Sequence, residues 1–374
     1  MPRPSFRLTY TAALTALAIS IPLSAAQAQT LAHADDQEQT GISLSIPPVT
    51  DPDTRIDLYW ENDGAFIRPG GTDRHYTNGF GASIARKSDW AEGASQWLLG
   101  GQNHQPETAS AAYGLIAGHE IYTPADITAT IPDPDDWPYA GYVFIGGFLQ
   151  RQADVNAEGI DAVFDHVQFD VGIVGPASQA EELQTFVHRT IGDDIPQGWD
   201  SQLDNEITAQ LTYRRKWRVD FDLTDDDLSA GVIQLIPRAE ARAGTVHVDG
   251  TLGATIRYII NPGGDFGAGF LDDPASAAGA LPDTGWTFAI FGDASFRVVA
   301  HNIFLDGGTF RSGPSVSKEP VVGQLLTGVT IGYRFENGNQ IGFNYGLWWE
   351  TSQVRTQPEN DARGQLAFTA RWNF

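Results

Sequence analysis

The stretch that most constrains the fold is the last one. Leu366, Phe368, Ala370, Trp372 and Phe374 alternate with Gln365, Ala367, Thr369, Arg371 and Asn373. A period of two is that of a β-strand, here with one apolar, aromatic face and one mostly polar face. The same period opens the folded part of the chain. Ile56, Leu58 and Trp60 alternate with Asp57, Tyr59 and Glu61, and Phe80, Ala82 and Ile84 alternate with Gly79, Gly81 and Ser83. After the amino-terminal region no apolar run approaches the roughly 18 residues of a membrane-spanning helix. Strands cross a bilayer only as a closed barrel, because lipid offers no partner to an open edge.

Residues 1–28 read as a signal peptide. Arg3 and Arg7 form a basic start, an apolar run from Leu8 to Leu23 follows, and Ala26-Gln27-Ala28 is a small-x-small cleavage site. The protein therefore leaves the cytoplasm. Residues 29–54 are polar, with Pro47, Pro48 and Pro52, and read as a flexible lead-in. Residues 55–374 then supply about twelve alternating segments, each roughly ten to fifteen residues long, as tilted membrane strands require. The expectation is an all-β, transmembrane, antiparallel up-and-down barrel in the bacterial outer membrane. Closure of the last strand on an aromatic residue resembles the assembly signal of such barrels. A soluble β-sandwich is the alternative. Segment 302–311 could add a thirteenth strand. The 10 Trp, 11 Tyr and 20 Phe suit interfacial girdles. The absence of Cys excludes disulfides and Cys-ligated metals. A net charge of −24 argues against a nucleic-acid partner.

Two helices interrupt the strands. Segment 88–110, with Trp90, Trp97, Leu98 and Leu99, reads as a short interfacial helix. Residues 178–192 read as a second: Ser178 and Glu181 suggest a capping box, Leu183, Phe186, Val187 and Ile191 an apolar stripe toward the barrel, and Gly192 a stop. With the amino terminus periplasmic, the loops after strands 1, 3 and 5 share the extracellular rim. The polar clusters around Asn62-Asp63, Thr77, EIYTP, WPYAG and the helix bearing His188 all fall on that rim, a convergence that a passive pore does not need. Each has a plainer reading. His188 could be a solvated surface histidine, Asn62-Asp63 an Asx turn at a strand end, and Thr77 a simple β-former. His75, His119 and His166 have no partners at metal spacing. Ser83 sits in no Gly-x-Ser-x-Gly elbow, which disfavours a serine hydrolase.

The segments WENDGAF, TDRHYTNG, EIYTP and WPYAG, the run DVGIVGPASQAEELQTFVHRTIGDDIPQGWDSQLDNE, and NIFLDGGTF with the terminal strand together resemble the outer-membrane lipid A 3'-O-deacylase family over about residues 55–374. The resemblance implies a twelve-stranded barrel that hydrolyses the 3'-linked acyloxyacyl ester of lipopolysaccharide in the outer leaflet and uses Ca2+. It implies a catalytic role for His188, as general base on water, and for Asn62 and Thr77, with Asp63 and Asn62 toward the metal. Lipid A and outer-membrane lipid are the implied partners, and a monomer is expected. An outer-membrane phospholipase is the nearest other enzyme, and a small non-enzymatic β-barrel pore the other class. One departure stands out. Some family members carry a lysine soon after the Tyr-Ser/Thr-Pro segment, whereas no lysine occurs here between Lys87 and Lys216. Either calcium and backbone or side-chain amides stabilise the oxyanion alone, or an arginine such as Arg151 or Arg189 substitutes.

Overall fold

The computed structural model describes residues 53–64, 73–99, 109–157, 159–223, 231–357 and 360–372. The signal peptide and nearly all of the lead-in lie outside these residues, as does Phe374. The described residues form twelve strands: β1 Thr54–Asn62, β2 His75–Lys87, β3 Ala109–Thr123, β4 Ala140–Ala157, β5 Ile160–Val174, β6 Glu206–Asp222, β7 Val232–Gly244, β8 His247–Ile260, β9 Gly285–Asn302, β10 Val321–Arg334, β11 Gln340–Glu350 and β12 Asp361–Trp372. Each pairs antiparallel with its sequence neighbours, and β1 closes on β12 with Ile56 opposite Ala370 and Leu58 opposite Phe368. Closure satisfies every edge, the condition set by lipid. The first strand begins at Thr54, one residue before the expected boundary. There is no thirteenth strand at 302–311: after β9 the chain makes a one-turn helix, α3 (Ile303–Asp306), started by the Asn302 side chain accepting from Phe304 N at 3.1 Å. Its apolar residues pack inward on Tyr122 and Tyr142 instead of alternating. Among the described residues no helix is long and apolar enough to cross a membrane.

The alternation sorts the wall as the sequence implies. On β1, Leu58 and Trp60 are exposed outward, while Asp57, Tyr59 and Glu61 are buried toward the lumen. The lumen is not open. The long connection between β8 and β9, residues 261–284, folds back inside the barrel. Phe266, Phe270 and Leu271 are buried there, and its acidic residues meet basic groups of the wall: Asp273 pairs with Arg214 at 2.9 Å and Lys216 at 2.7 Å, and Asp265 with Arg257 at 2.6 Å. Arg55 of β1 and Arg371 of β12 both donate to the Ser276 carbonyl, at 3.1 and 2.8 Å. Buried charges persist only when paired in this way. A Cβ at Gly81 would lie 2.5 Å from Leu271 Cδ1 and 2.7 Å from the Ala117 carbonyl, so the wall is glycine where the plug meets it. A cavity of about 170 Å³ remains between plug and wall.

Two helices lie on the outer wall, at opposite rims. α1 (Asp89–Leu99) follows β2 and packs on the lower ends of β3 and β4. α2 (Ala180–Ile191) follows β5 and covers the upper end of the wall near β4.

The candidate active site

The site is built where β1, β2, β3 and α2 meet at the upper rim. The outward positions of β3 continue from exposed Tyr113 and Leu115 to His119, Ile121 and Thr123, which are buried because the segment around α2 covers them. Ile121, Tyr139, Ala180 and Trp199 form one small apolar core, with Leu183 packed against it. Trp199 Nε1 donates to Gln184 Oε1 at 3.0 Å, and His119 Nε2 meets the Ser178 carbonyl at 3.0 Å. The fit is close: a Cβ at Gly141 would lie 2.3 Å from Ala180 Cβ. This is why the Trp-Pro-Tyr-Ala-Gly segment ends in glycine.

α2 differs from the sequence expectation in two ways. Its start has no capping box. Ser178 belongs to a preceding single turn and donates to the Gly175 carbonyl at 2.7 Å, while Gln179, at φ 59°, is the cap and gives no side-chain bond. Its buried strip is Ala180, Gln184 and His188, and the stripe expected to pack on the barrel is largely exposed, with Phe186 at 66% and Ile191 at 67%. Helical periodicity identifies an apolar face but not the medium that face meets. At a lipid-facing wall the polar strip can be the buried one.

His188 is held through both ring nitrogens. Gly192, at φ 79°, ends the helix in the left-handed conformation and donates to the His188 carbonyl at 2.8 Å. The chain then turns so that His188 Nδ1–H donates to the Asp194 carbonyl. His188 Nε2 lies 2.9 Å from Asp73 Oδ2. Because Nδ1 must carry a proton for the carbonyl, a further proton lies between Nε2 and the carboxylate. Burial pushes the Asp73 carboxyl above its ordinary value, His188 draws it back and Asp193 adds to the rise. Ligand atoms of Asp73, His188 and Asp193 all lie within 4.8 Å of one another.

The other residues singled out from the sequence connect to this pair through backbone and hydroxyl bonds. Thr77 sits at a register shift of β2 against β3, between Tyr76 and Asn78. Such a bulge re-aims a side chain, and Thr77 Oγ1 meets Thr123 Oγ1 at 2.7 Å. Thr123 in turn donates to the Asp73 carbonyl at 2.9 Å, so the hydroxyl chain holds the segment that carries Asp73. Asn62 makes the Asx turn of the plainer reading, accepting from Gly64 N at 2.8 Å, and also donates to the Thr77 carbonyl at 3.1 Å. Asp63 is buried and accepts from Arg74 N at 2.8 Å. By strand alternation its carboxylate turns to the lumen side of the rim, beside Tyr76, Glu350 and Arg363, whereas His188 and Asp73 lie on the outer side.

Asp73, Thr123, Asp193 and Asp194 were not given roles by sequence reasoning. Asp73 and Thr123 stand in the motifs quoted above, but their partners are far along the chain. His75, read from the sequence only as having no partner at metal spacing, is held by two carboxylates: Nδ1 lies 2.6 Å from Asp361 and Nε2 3.4 Å from Asp136. It ties the rim across the barrel closure and stacks on Trp137. Of the arginines considered for the missing lysine, Arg151 is excluded by position. It lies on β4 opposite Ala111 and Asp165, toward the lower rim. Arg189 adjoins His188 in sequence but is exposed.

Residues 12–372 match the model of a family described as "Outer membrane protein LpxR". No curated protein matches the chain. Among solved structures, LpxR from Salmonella typhimurium is similar at 17% identity and a TM-score of 0.65, covering 85% of this chain and 100% of that one. The β domain of the Bordetella autotransporter BrkA gives 8% identity and a TM-score of 0.43, covering 87% and 100%. The translocator domain of the autotransporter NalP from Neisseria meningitidis gives 10% and 0.38, covering 86% and 89%. With the family model spanning nearly the whole chain, this protein belongs to the LpxR family of outer-membrane proteins.

Proposed function

We propose that the chain is a calcium-dependent lipid A 3'-O-deacylase in which His188 is the general base on water. Membership of the LpxR family supports a deacylase acting on lipopolysaccharide. The observation that carries the mechanistic reading is the tethering of His188 on the outer, lipid-facing side of the wall. There a glycolipid can lay its acyl chains along Leu115, Ile145 and Phe80 and bring an ester to rim height. In a lumenal site the plug would block such a substrate. The plug also argues against a passive pore.

With Nδ1–H committed to Asp194, Nε2 is the nitrogen that takes a proton from water once its contact with Asp73 opens and the proton between them has left. The hydroxide oxygen adds to the ester carbonyl carbon, the bond to the sugar oxygen breaks, and the imidazolium returns its proton to that oxygen. Asp73 steadies the imidazolium while it exists. Thr77, Thr123 and Asn62 position the segment that carries Asp73. Calcium takes oxygen donors. The carboxylates of Asp73 and Asp193 fit that demand and would hold the ion; the Asp63 carboxylate, turned to the lumen side, would not reach it. Bound there, it would polarise the ester carbonyl and stabilise the oxyanion.

The test is mass spectrometry of lipid A from a Gram-negative host expressing the wild type or His188→Ala. A mass loss equal to the 3'-acyloxyacyl group, absent in the variant and after chelation, and restored by calcium in detergent extracts, is expected. An unchanged wild-type spectrum with folded barrel in the membrane would overturn the substrate assignment. Full activity of the variant would overturn the base.

A further inference from the structure

α1 has an inverted arrangement for a helix docked on a protein. The residues it presses on the wall are small: Ala91 is fully buried and Ser95 nearly so, and they pack with Ala94 on Ala111 and Leu149. Its large residues point away. Trp97 is 84% exposed, Trp90 67% and Leu98 54%. Trp90 and Trp97 are seven residues apart and share one stripe, while Asp89, Glu92 and Gln96 lie on the other side of the helix. In water such a face would be a liability.

The surroundings identify what covers it. The lipid-facing surface of β3 runs through Leu115 and Tyr113, and Trp90 meets Tyr113 edge to face at 5.5 Å. The apolar face of α1 is therefore continuous with the lipid belt. On the far side of the barrel the same rim carries outward aromatics: Trp286 and Phe288 open β9 and Phe335 follows β10, and Trp286 packs on Tyr333. That is an interfacial girdle. Below Tyr113 the outward positions of β3 and β4 are Ala111, Leu149, Arg151 and Ala153, with no aromatic among them. α1 brings Trp90 and Trp97 to that gap. Arg86, exposed on the outward face at the end of β2, stands where it can reach lipid headgroups.

We propose that α1 is an interfacial helix that completes the aromatic girdle on the β2–β4 side and seats this rim in the phospholipid leaflet, opposite the candidate active site. Its ligand is the boundary between phospholipid headgroups and acyl chains.

The native chain has no Cys, so a single introduced cysteine reports without background. Leu98→Cys, Gln96→Cys and Ile131→Cys, each at an exposed side chain, are labelled with an environment-sensitive fluorophore. The labelled full-length barrels are reconstituted in phosphatidylethanolamine–phosphatidylglycerol vesicles, and only protein with the heat-modifiable migration of a folded barrel is scored. The Leu98 label is expected to lose most of its emission to shallow doxyl-labelled lipid and to resist iodide. The Gln96 and Ile131 labels should behave in the reverse way. A Leu98 label as open to iodide as that at Ile131 would overturn the proposal. So would a Leu98 label shielded from both quenchers, which would mean that protein covers the face. Neither reading depends on catalysis.

Discussion

The same barrel wall is covered by a helix at each rim, and the two helices make opposite use of it. α2 buries Gln184 and His188 and exposes Phe186 and Ile191. α1 buries Ala91 and Ser95 and exposes Trp90 and Trp97. Both have apolar outward faces, as a lipid-bathed surface asks. They differ in what is trapped underneath. Small residues under α1 let the backbone approach the wall and leave nothing reactive. Under α2 a histidine and a carboxylate are enclosed by protein, where each must be satisfied by the other or by backbone. A polar group in such a position costs free energy unless it is bonded, and the bonds that satisfy it also fix its tautomer.

The largest way to break this contrast is to remove the trapped base. His188→Ala should lower the deacylation rate on the order of 10²–10⁴-fold with the barrel still folded, read by lipid A mass spectrometry. Next is Asp73→Asn, expected to cost about 10–100-fold by leaving Nε2 without its carboxylate. Activity equal to wild type would mean that Asp73 is a bystander. Trp199→Ala empties a fully buried position between α2 and the wall, with a local cost of about 3–5 kcal/mol. It should free α2 for proteolysis in intact cells while heat-modifiability of the barrel persists. Thr77→Val breaks the hydroxyl chain to Asp73 at a cost of about 1–3 kcal/mol and should show as a partial loss of rate. The smallest effect is expected at Arg189→Ala. An exposed side chain should change the rate by no more than about twofold, and a larger drop would reinstate it as the stand-in for the missing lysine.

Much of the fold could be read from the sequence because membrane strands obey one rule. Lipid requires a closed ladder, and the alternation of Leu366 to Trp372 or of Ile56 to Trp60 fixes which face is outward. The helices were harder. The stripe Leu183–Phe186–Val187–Ile191 is a correct reading of periodicity, yet its burial depends on whether the wall is in contact with water or lipid. The plug between β8 and β9 leaves no periodic signal at all, since its role depends on partners such as Arg214 and Arg371 on distant strands. Within the site, His188, Asn62 and Thr77 were found through motifs. Asp73 was present in the same motif but acquires meaning only from a helix more than a hundred residues later. Segment 302–311 misled because a short apolar run can be a strand or a buried turn.

The plug has a consequence for how the barrel is made. Its Ser276 carbonyl receives a guanidinium from the first strand and another from the last. The seam between the first and last strands is thus clasped from within by the middle of the chain. Assembly that zipped the seam before this segment entered would leave Arg55 and Arg371 without that shared acceptor. Seam and plug are thereby coupled: each is fully satisfied only when the other is in place.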